Sequence, residues 1–380
     1  MSEDRRADVA IVGAGILGLA HAYFAARGGK SVVVFERTPR AQGASVRNFG
    51  MIWPIGQRVG AVHQMAMRSR QIWEEVLDEA RLPYRHTGSL HVVYSPDEAE
   101  VAREFIERAP ALGYTCEWRS AGGVLEKSQA INHEGLLGGI WSPVEMTVDP
   151  RQILARLPAF LAERYGVRFR FGTAVRRIEL PTLDAGSEQW RVGSAIVCGG
   201  DDFETLYPEL FATSEIERCK LQMMRTAPQK NGWQLGPSLA AGLTLRFYPA
   251  FEICTETLPK YKERVAREMP AYDRWDIHTL VSQTVDGALT LGDSHEYGLA
   301  VDIFNKTEID ELVLRDVCRY LHAPDLSIAE RWYGVYAKHP DKAYVAIDAA
   351  PGVRIVTAVG GSGMTLSFGL AEQMIHEMAI

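Results

Sequence analysis

Three glycines open the chemistry of this chain. Gly13, Gly15 and Gly18 stand in the stretch VAIVGAGILGLAHAYFAARGGKSVVVFER, residues 9–37, at the spacing G-x-G-x-x-G. Gly13 permits a tight turn after a strand, Gly15 lets backbone approach a pyrophosphate, and Gly18 allows a helix to lie close to that strand. Ile16 and Leu17 complete the turn, and the N-terminus of the helix they open faces the phosphates. Glu36 follows about 20 residues on, at the end of a second strand, where a carboxylate can accept from ribose hydroxyls. Arg37, next to it, lies by the adenosine or forms a simple salt bridge. This fingerprint alone leaves NAD and FAD open.

Two further glycine-bearing segments bear on that choice. In GASVRNFGM (residues 43–51), Ala44, Ser45, Asn48, Phe49, Gly50 and Met51 could lay backbone amides and short side chains against a flat ring. Arg47 and Trp53 gain interest from standing beside this loop. In GGSGMTLSFG (residues 360–369), Gly360, Gly361, Ser362, Gly363, Met364 and Thr365 start a second helix. A helix N-terminus there would stabilise the anionic charge that flavin reduction builds at the N1 and C2 carbonyl edge. Two glycine-rich helix starts suit a long ligand contacted at both ends, which favours FAD. An NAD-dependent dehydrogenase and a non-catalytic flavoprotein are the rival readings.

Around these residues the pattern supplies the elements. Ala7–Val12 reads as a buried strand, Ile16–Arg27 as a helix and Ser31–Glu36 as a second strand, a βαβ unit. His63–Ala80 and Pro96–Leu112 are helical, and Asp149 caps a helix that has Pro150 at its first position and Gly166 at its end. VRFRFGTAVRRIEL and GSAIVCGGDD supply two more strands. From Cys219 to about Gly298, KLQMMRT, LTLRFYP and DGALTLGD have antiparallel-sheet texture, interrupted by the helix LPKYKERVAREM. Thr307–Leu321 is helical, and the chain closes with strand, glycine turn and helix. The expected class is α/β plus α+β. A Rossmann-like FAD-binding domain takes residues 1–85, 145–218 and 326–380, and an inserted antiparallel-sheet substrate domain takes 86–144 and 219–325.

Composition excludes several functions. At 380 residues and 47% hydrophobic content the chain can bury a large core, and its formal net charge of −7 offers no basic stripe for nucleic acid. Its five cysteines (Cys116, Cys198, Cys219, Cys254, Cys318) have no spacing that suggests a disulfide framework or a metal site. No run reaches the roughly 18 apolar residues of a membrane span, and the N-terminal apolar run is too short for a signal peptide. A cytoplasmic protein without metal is expected.

The motifs together resemble the FAD-dependent amine oxidoreductases related to D-amino-acid oxidase, glycine oxidase and monomeric sarcosine oxidase. The likeness runs through the opening fingerprint, ASVRNFG, GTAVRRIE, AIVCGG, DGALTLGD, RWYGVYAKHPD and VGGSGMTLSFGLAEQ, in the family's order. It implies backbone contacts from Val175 to the adenine side, cofactor contacts from Cys198, Gly199 and Gly200, and the C-terminal glycine turn at the flavin. ASVRNFGMIWPIGQ is similar to a clade associated with bacterial phosphonate breakdown. That implies an aminophosphonate, such as an N-methylated or hydroxylated 2-aminoethylphosphonate.

Departures from the family bear on the substrate. Tyr336 stands where glycine oxidase has a carboxylate-binding Arg, and Thr365, itself a candidate catalytic position, where sarcosine oxidase has a Lys. A buried carboxylate without a cation costs several kcal/mol, so another cation is needed. Lys338 and His339 are the nearest candidates, and Arg246 could face the pocket. GVYAKHPD lacks the flavin-attaching Cys, implying non-covalent FAD, and Thr290 replaces the oxygen-activating Lys. Molecular oxygen and another electron acceptor both remain open. The implied reaction is hydride transfer from the carbon bearing nitrogen, with the imine hydrolysed to aldehyde and amine, and His295 helping to deprotonate the small-molecule amine. A secondary or D-amino acid is the alternative substrate.

Overall fold

The computed structural model describes residues 5–380. The elements that position the site are β1 (Arg6–Val12), α1 (Ile16–Arg27), β2 (Val32–Glu36), β3 (Glu188–Val197), β4 (Glu217–Thr226), β5 (Leu289–Gly292), β6 (Ile328–Lys338), β7 (Val353–Thr357) and α2 (Gly363–Glu377). They belong to two sheets of different texture, as the sequence predicts.

The first sheet has eight strands, and its centre is parallel. β1 lies between β3 and β2, with Val12 opposite Val197 on one side and Phe35 on the other. Arg168–Phe171 continues the parallel run beyond β2, and β7 continues it beyond β3. Parallel strands covered on both faces read as unbroken apolar runs, which is why Val32, Val33, Val34 and Phe35 are all buried. α1 packs on this sheet through small residues, and Gly18 is sterically required: a Cβ there would stand 1.9 Å from the Gly13 carbonyl oxygen. The helix Pro150–Tyr165 has the ends expected of it, with the Asp149 side chain accepting from the Arg151 amide at 2.9 Å and Gly166 at φ +69°.

The second sheet has nine strands around β4. β4 pairs antiparallel with β5, with Glu296–Gly298 and, along its whole length, with β6, from Glu217 opposite Lys338 to Thr226 opposite Ile328. Residues 328–338, which the sequence reading placed in the nucleotide domain, are thus a strand of the second sheet. Ser238–Ala240 pairs parallel with Ser89–Val93, the exception in an otherwise antiparallel sheet among the described residues. LTLRFYP is also corrected. Its alternation suits a strand, but Gly242–Arg246 is a 3-10 turn and Pro249 opens another. Those turns carry Arg246 and Phe247 to the cavity wall. No described helix is long and apolar enough to cross a membrane.

Candidate functional site

One cavity of about 1300 Å³ runs from the end of β2 to the face of the second sheet. That exceeds the roughly 300–1,000 Å³ of a site for a single drug-sized ligand, and has room for a dinucleotide and a small substrate.

At its nucleotide end the polar groups are already paired. Gly13 turns at φ +101°, where a Cβ would collide with the Cys198 carbonyl oxygen at 2.3 Å. One Glu36 oxygen accepts from the Ala14 amide at 3.0 Å, and the other accepts from the Thr38 amide and hydroxyl, which fixes the carboxylate at the cavity edge. Arg37 pairs with Asp202 at 2.7 Å across this end, so the simple salt bridge is what the structure contains. Val175, Cys198, Gly199 and Gly200 line the same end. Ser45 reaches back from the loop, its hydroxyl accepting from the Ile16 amide at 3.0 Å, a cap on α1 supplied from far along the chain. Asn48 is a loop fastener: its amide donates to the Ala44 and Ser45 carbonyls, and its oxygen accepts from the Gly50 amide.

The C-terminal glycine turn lies in the same wall. Gly360, Gly361, Ser362, Gly363 and Met364 all line the cavity, as do Gly15, Ile16, Leu17, Ala44 and Phe49. The buried Trp73 indole donates to the Met364 carbonyl at 2.7 Å and holds the start of α2 in place. The end of β6 is stitched to this turn by an antiparallel bridge between Lys338 and Val359.

The far end is built from the second sheet and differs in kind. His295 is buried, stacked on Phe247 at 4.4 Å, with Nδ1 bonded to the Asp276 carbonyl at 3.0 Å. Burial pushes it down to about 4, so it is neutral and donates through Nδ1. His278 stacks on Phe247 from nearby, at 3.9 Å, and its Nε2 is 3.4 Å from Asp293 Oδ1. Neither His278 nitrogen nor Asp293 Oδ1 has a hydrogen-bond partner. Burial moves both groups toward their neutral forms, His278 down and Asp293 up. Arg246 faces this wall but is committed to Asp276 at 3.1 Å and to the Tyr272 and Ile277 carbonyls. Lys338, half-buried, lies 4.4 Å from the centre of the Tyr297 ring, with no carboxylate partner among the described residues. Arg47 is also free of carboxylates, donating to the Tyr333 carbonyl at 3.3 Å. His339 is buried, its Nδ1 accepting from the Asp341 and Lys342 amides.

Several sequence candidates fall outside the wall. Thr365 is buried with its hydroxyl accepting from the Trp53 amide at 2.9 Å, a bond that ties α2 to the loop and leaves no catalytic reach. Trp53 packs against His91 and Tyr248 in the core behind the cavity, and Met51 is core as well. Gly18 and Gly50 serve packing, a Cβ at Gly50 standing 2.0 Å from the Val148 carbonyl oxygen. Thr290 lies in β5 and is not part of the lining. Tyr336 does line the cavity, beside Gly361. The sequence reading missed Asp276, His278 and Asp293. WDIHTL and LGDSH held the signal, but only strand pairing brings them together.

Comparison with known proteins agrees with this geometry. The family DAO, described as FAD dependent oxidoreductase, matches residues 8–377. D-amino acid dehydrogenase 2 of Mesorhizobium japonicum is 26% identical over 229 residues, 45% of this chain and 55% of that protein. The chain spans about half the length of the curated relatives it matches. Among solved structures, glycine oxidase from Geobacillus kaustophilus superposes with a TM-score of 0.78 at 16% identity, covering 98% of this chain and 94% of that one. L-proline dehydrogenase from P. horikoshii gives 0.76 at 20% identity, covering 99% and 93%. At such identities the structural likeness speaks for the fold.

Proposed function

The chain belongs to the DAO family of FAD-dependent oxidoreductases, and from that premise we propose that it oxidises a small amine that carries an anionic group at its far end. The substrate we infer is an aminophosphonate such as an N-methylated or hydroxylated 2-aminoethylphosphonate. The observation that carries this reading is Lys338: a cation in the cavity wall, next to the flavin-side turn, with no carboxylate of its own. With Tyr336 and Thr365 in place of an amino-acid clamp, Lys338 is the anchor for the anion, and Arg47 adds positive charge.

The fit to FAD rests on the paired glycine turns, with Glu36 at one end and the start of α2 at the other. Bound FAD supplies the hydride acceptor, and the protein's task is binding, orientation and proton management. Glu36 takes the ribose, the amides of the α1 and α2 starts face the negative charges, and Lys338 fixes one end of the substrate so that its C–H bond is oriented. Burial pushes His295 down to about 4, so at pH 7 it is neutral and offers a hydrogen-bond acceptor at Nε2. Without the flavin-attaching Cys in GVYAKHPD, the FAD is dissociable.

A D-amino acid or secondary amino acid is the second reading, favoured by the resemblance to a protein named D-amino acid dehydrogenase. Anaerobic mixing of holoenzyme with matched amines, with and without a phosphonate, decides between them. Faster bleaching of the flavin by N-methyl-2-aminoethylphosphonate than by sarcosine is the expected result; the reverse order overturns the phosphonate reading. Admission of air, followed by peroxide and dye assays, then identifies the acceptor.

A further inference from the structure

We propose that Asp293, backed by His278, is the subsite that receives the substrate's ammonium group and takes its proton. This rests on the amine-oxidation reading above and adds the residue that makes the nitrogen neutral. Asp293 lines the cavity, is buried, and has an Oδ1 with no hydrogen-bond partner. Of the cations near it, Arg246 holds Asp276, and among the described residues neither Arg246 nor Lys338 forms an ion pair with Asp293. A buried carboxyl that lacks a cation is a costly feature unless a cation arrives from outside.

Chemistry selects Asp293 over its neighbours as the proton acceptor. A proton on His295 or His278 would turn a neutral ring into a buried cation, whereas a proton on Asp293 removes a buried charge. His278 Nε2, 3.4 Å from Oδ1, is positioned to steady one oxygen of the carboxyl. His278, Asp293 and His295 have their ligand atoms within 4.8 Å of one another, the spacing of a metal triad. The rings of His278 and His295 lie nearly parallel, 5.0 Å apart at 14°, and the chelator arm of the test below separates a metal from an ammonium as the occupant.

The proton balance is closed. An ammonium entering the site displaces the Asp293 proton to water and leaves a carboxylate–ammonium pair. The N–H bond then breaks with its electron pair staying on nitrogen, and the O–H bond reforms on Asp293. One proton is released per amine bound.

The test uses oxidised holoenzyme under argon, parent and Asp293→Asn, with FAD occupancy checked by absorbance. N-methyl-2-aminoethylphosphonate, sarcosine and ethylphosphonate are titrated while flavin spectral changes and proton release into weak buffer are followed. In the parent at pH 7 each bound amine is expected to release one proton. In Asp293→Asn the half-saturating concentration of both amines should rise at least 30-fold, while ethylphosphonate binding holds and EDTA has no effect on the parent. Unchanged amine affinity or unchanged proton release in the variant overturns the proposal, as does EDTA sensitivity or a parent that binds neither amine. Asp293-dependent binding of sarcosine without preference for the phosphonate would sustain the subsite and sink the phosphonate reading alone.

Discussion

The two ends of the cavity hold polar groups in opposite states. At the nucleotide end every functional side chain is fastened before a ligand arrives: Glu36 to Ala14 and Thr38, Arg37 to Asp202, Ser45 to Ile16. At the end built from the second sheet, Asp293 Oδ1, both nitrogens of His278 and the charge of Lys338 lack such partners among the described residues. The first end is a preformed cradle whose shape comes from backbone. The second holds unsatisfied polarity, and on the proposed reading it is there that a substrate of the right charge is selected.

Changes at the two ends should therefore fail differently. The largest effect is expected from Gly18→Val, whose Cβ would lie 1.9 Å from the Gly13 carbonyl oxygen; purification should yield no FAD-loaded protein, and a yellow preparation would refute the packing argument. Next is Lys338→Ala. Removing a cation from a buried anion costs about 2–5 kcal/mol, so the half-saturating concentration of an anionic amine should rise about 30-fold or more with FAD content unchanged. Equal loss of FAD would erase the distinction between the ends.

Acid should separate the ends as well. His295 is held down to about 4 and His91, which has no partner for either nitrogen, to about 3, both by burial. Between these values and 6.5 the unfolded chain binds protons that the folded chain does not, so stability falls as pH falls below 6.5. A group held at about 4 loses about 2 kcal/mol by pH 5. Exchange protection, corrected for the intrinsic rate at each pH, should fall at pH 5 in Ser89–Val93 and β5 before β1, with His21 in α1, held at about 4, narrowing that contrast. A uniform fall in protection would contradict it. The smallest effect is Ser45→Ala, which removes the cap on Ile16 and should cost about 1 kcal/mol, or about 1 °C in melting temperature.

The same division explains what the sequence disclosed. Gly13, Gly15, Glu36 and the glycines of 360–363 work through local spacing, and a spacing is written in the chain. Thr365 was misjudged because the facing of a helix residue depends on what it meets, here the Trp53 amide. Arg246 was read in a strand because LTLRFYP alternates, whereas the turn residues around it decide the backbone. The His278 and Asp293 pair escaped notice because each is unremarkable alone, and their nearness arises from the folding of one loop and strand end against another.

The bridge between Lys338 and Val359 carries one more consequence. It ties the proposed anion anchor to the glycine turn that opens α2, and so sets the gap between the two. Such a fixed gauge sorts molecules by length: among homologous amino acids and aminophosphonates, adding or deleting a single methylene should move the reactive carbon out of register and slow turnover even where charge is unchanged.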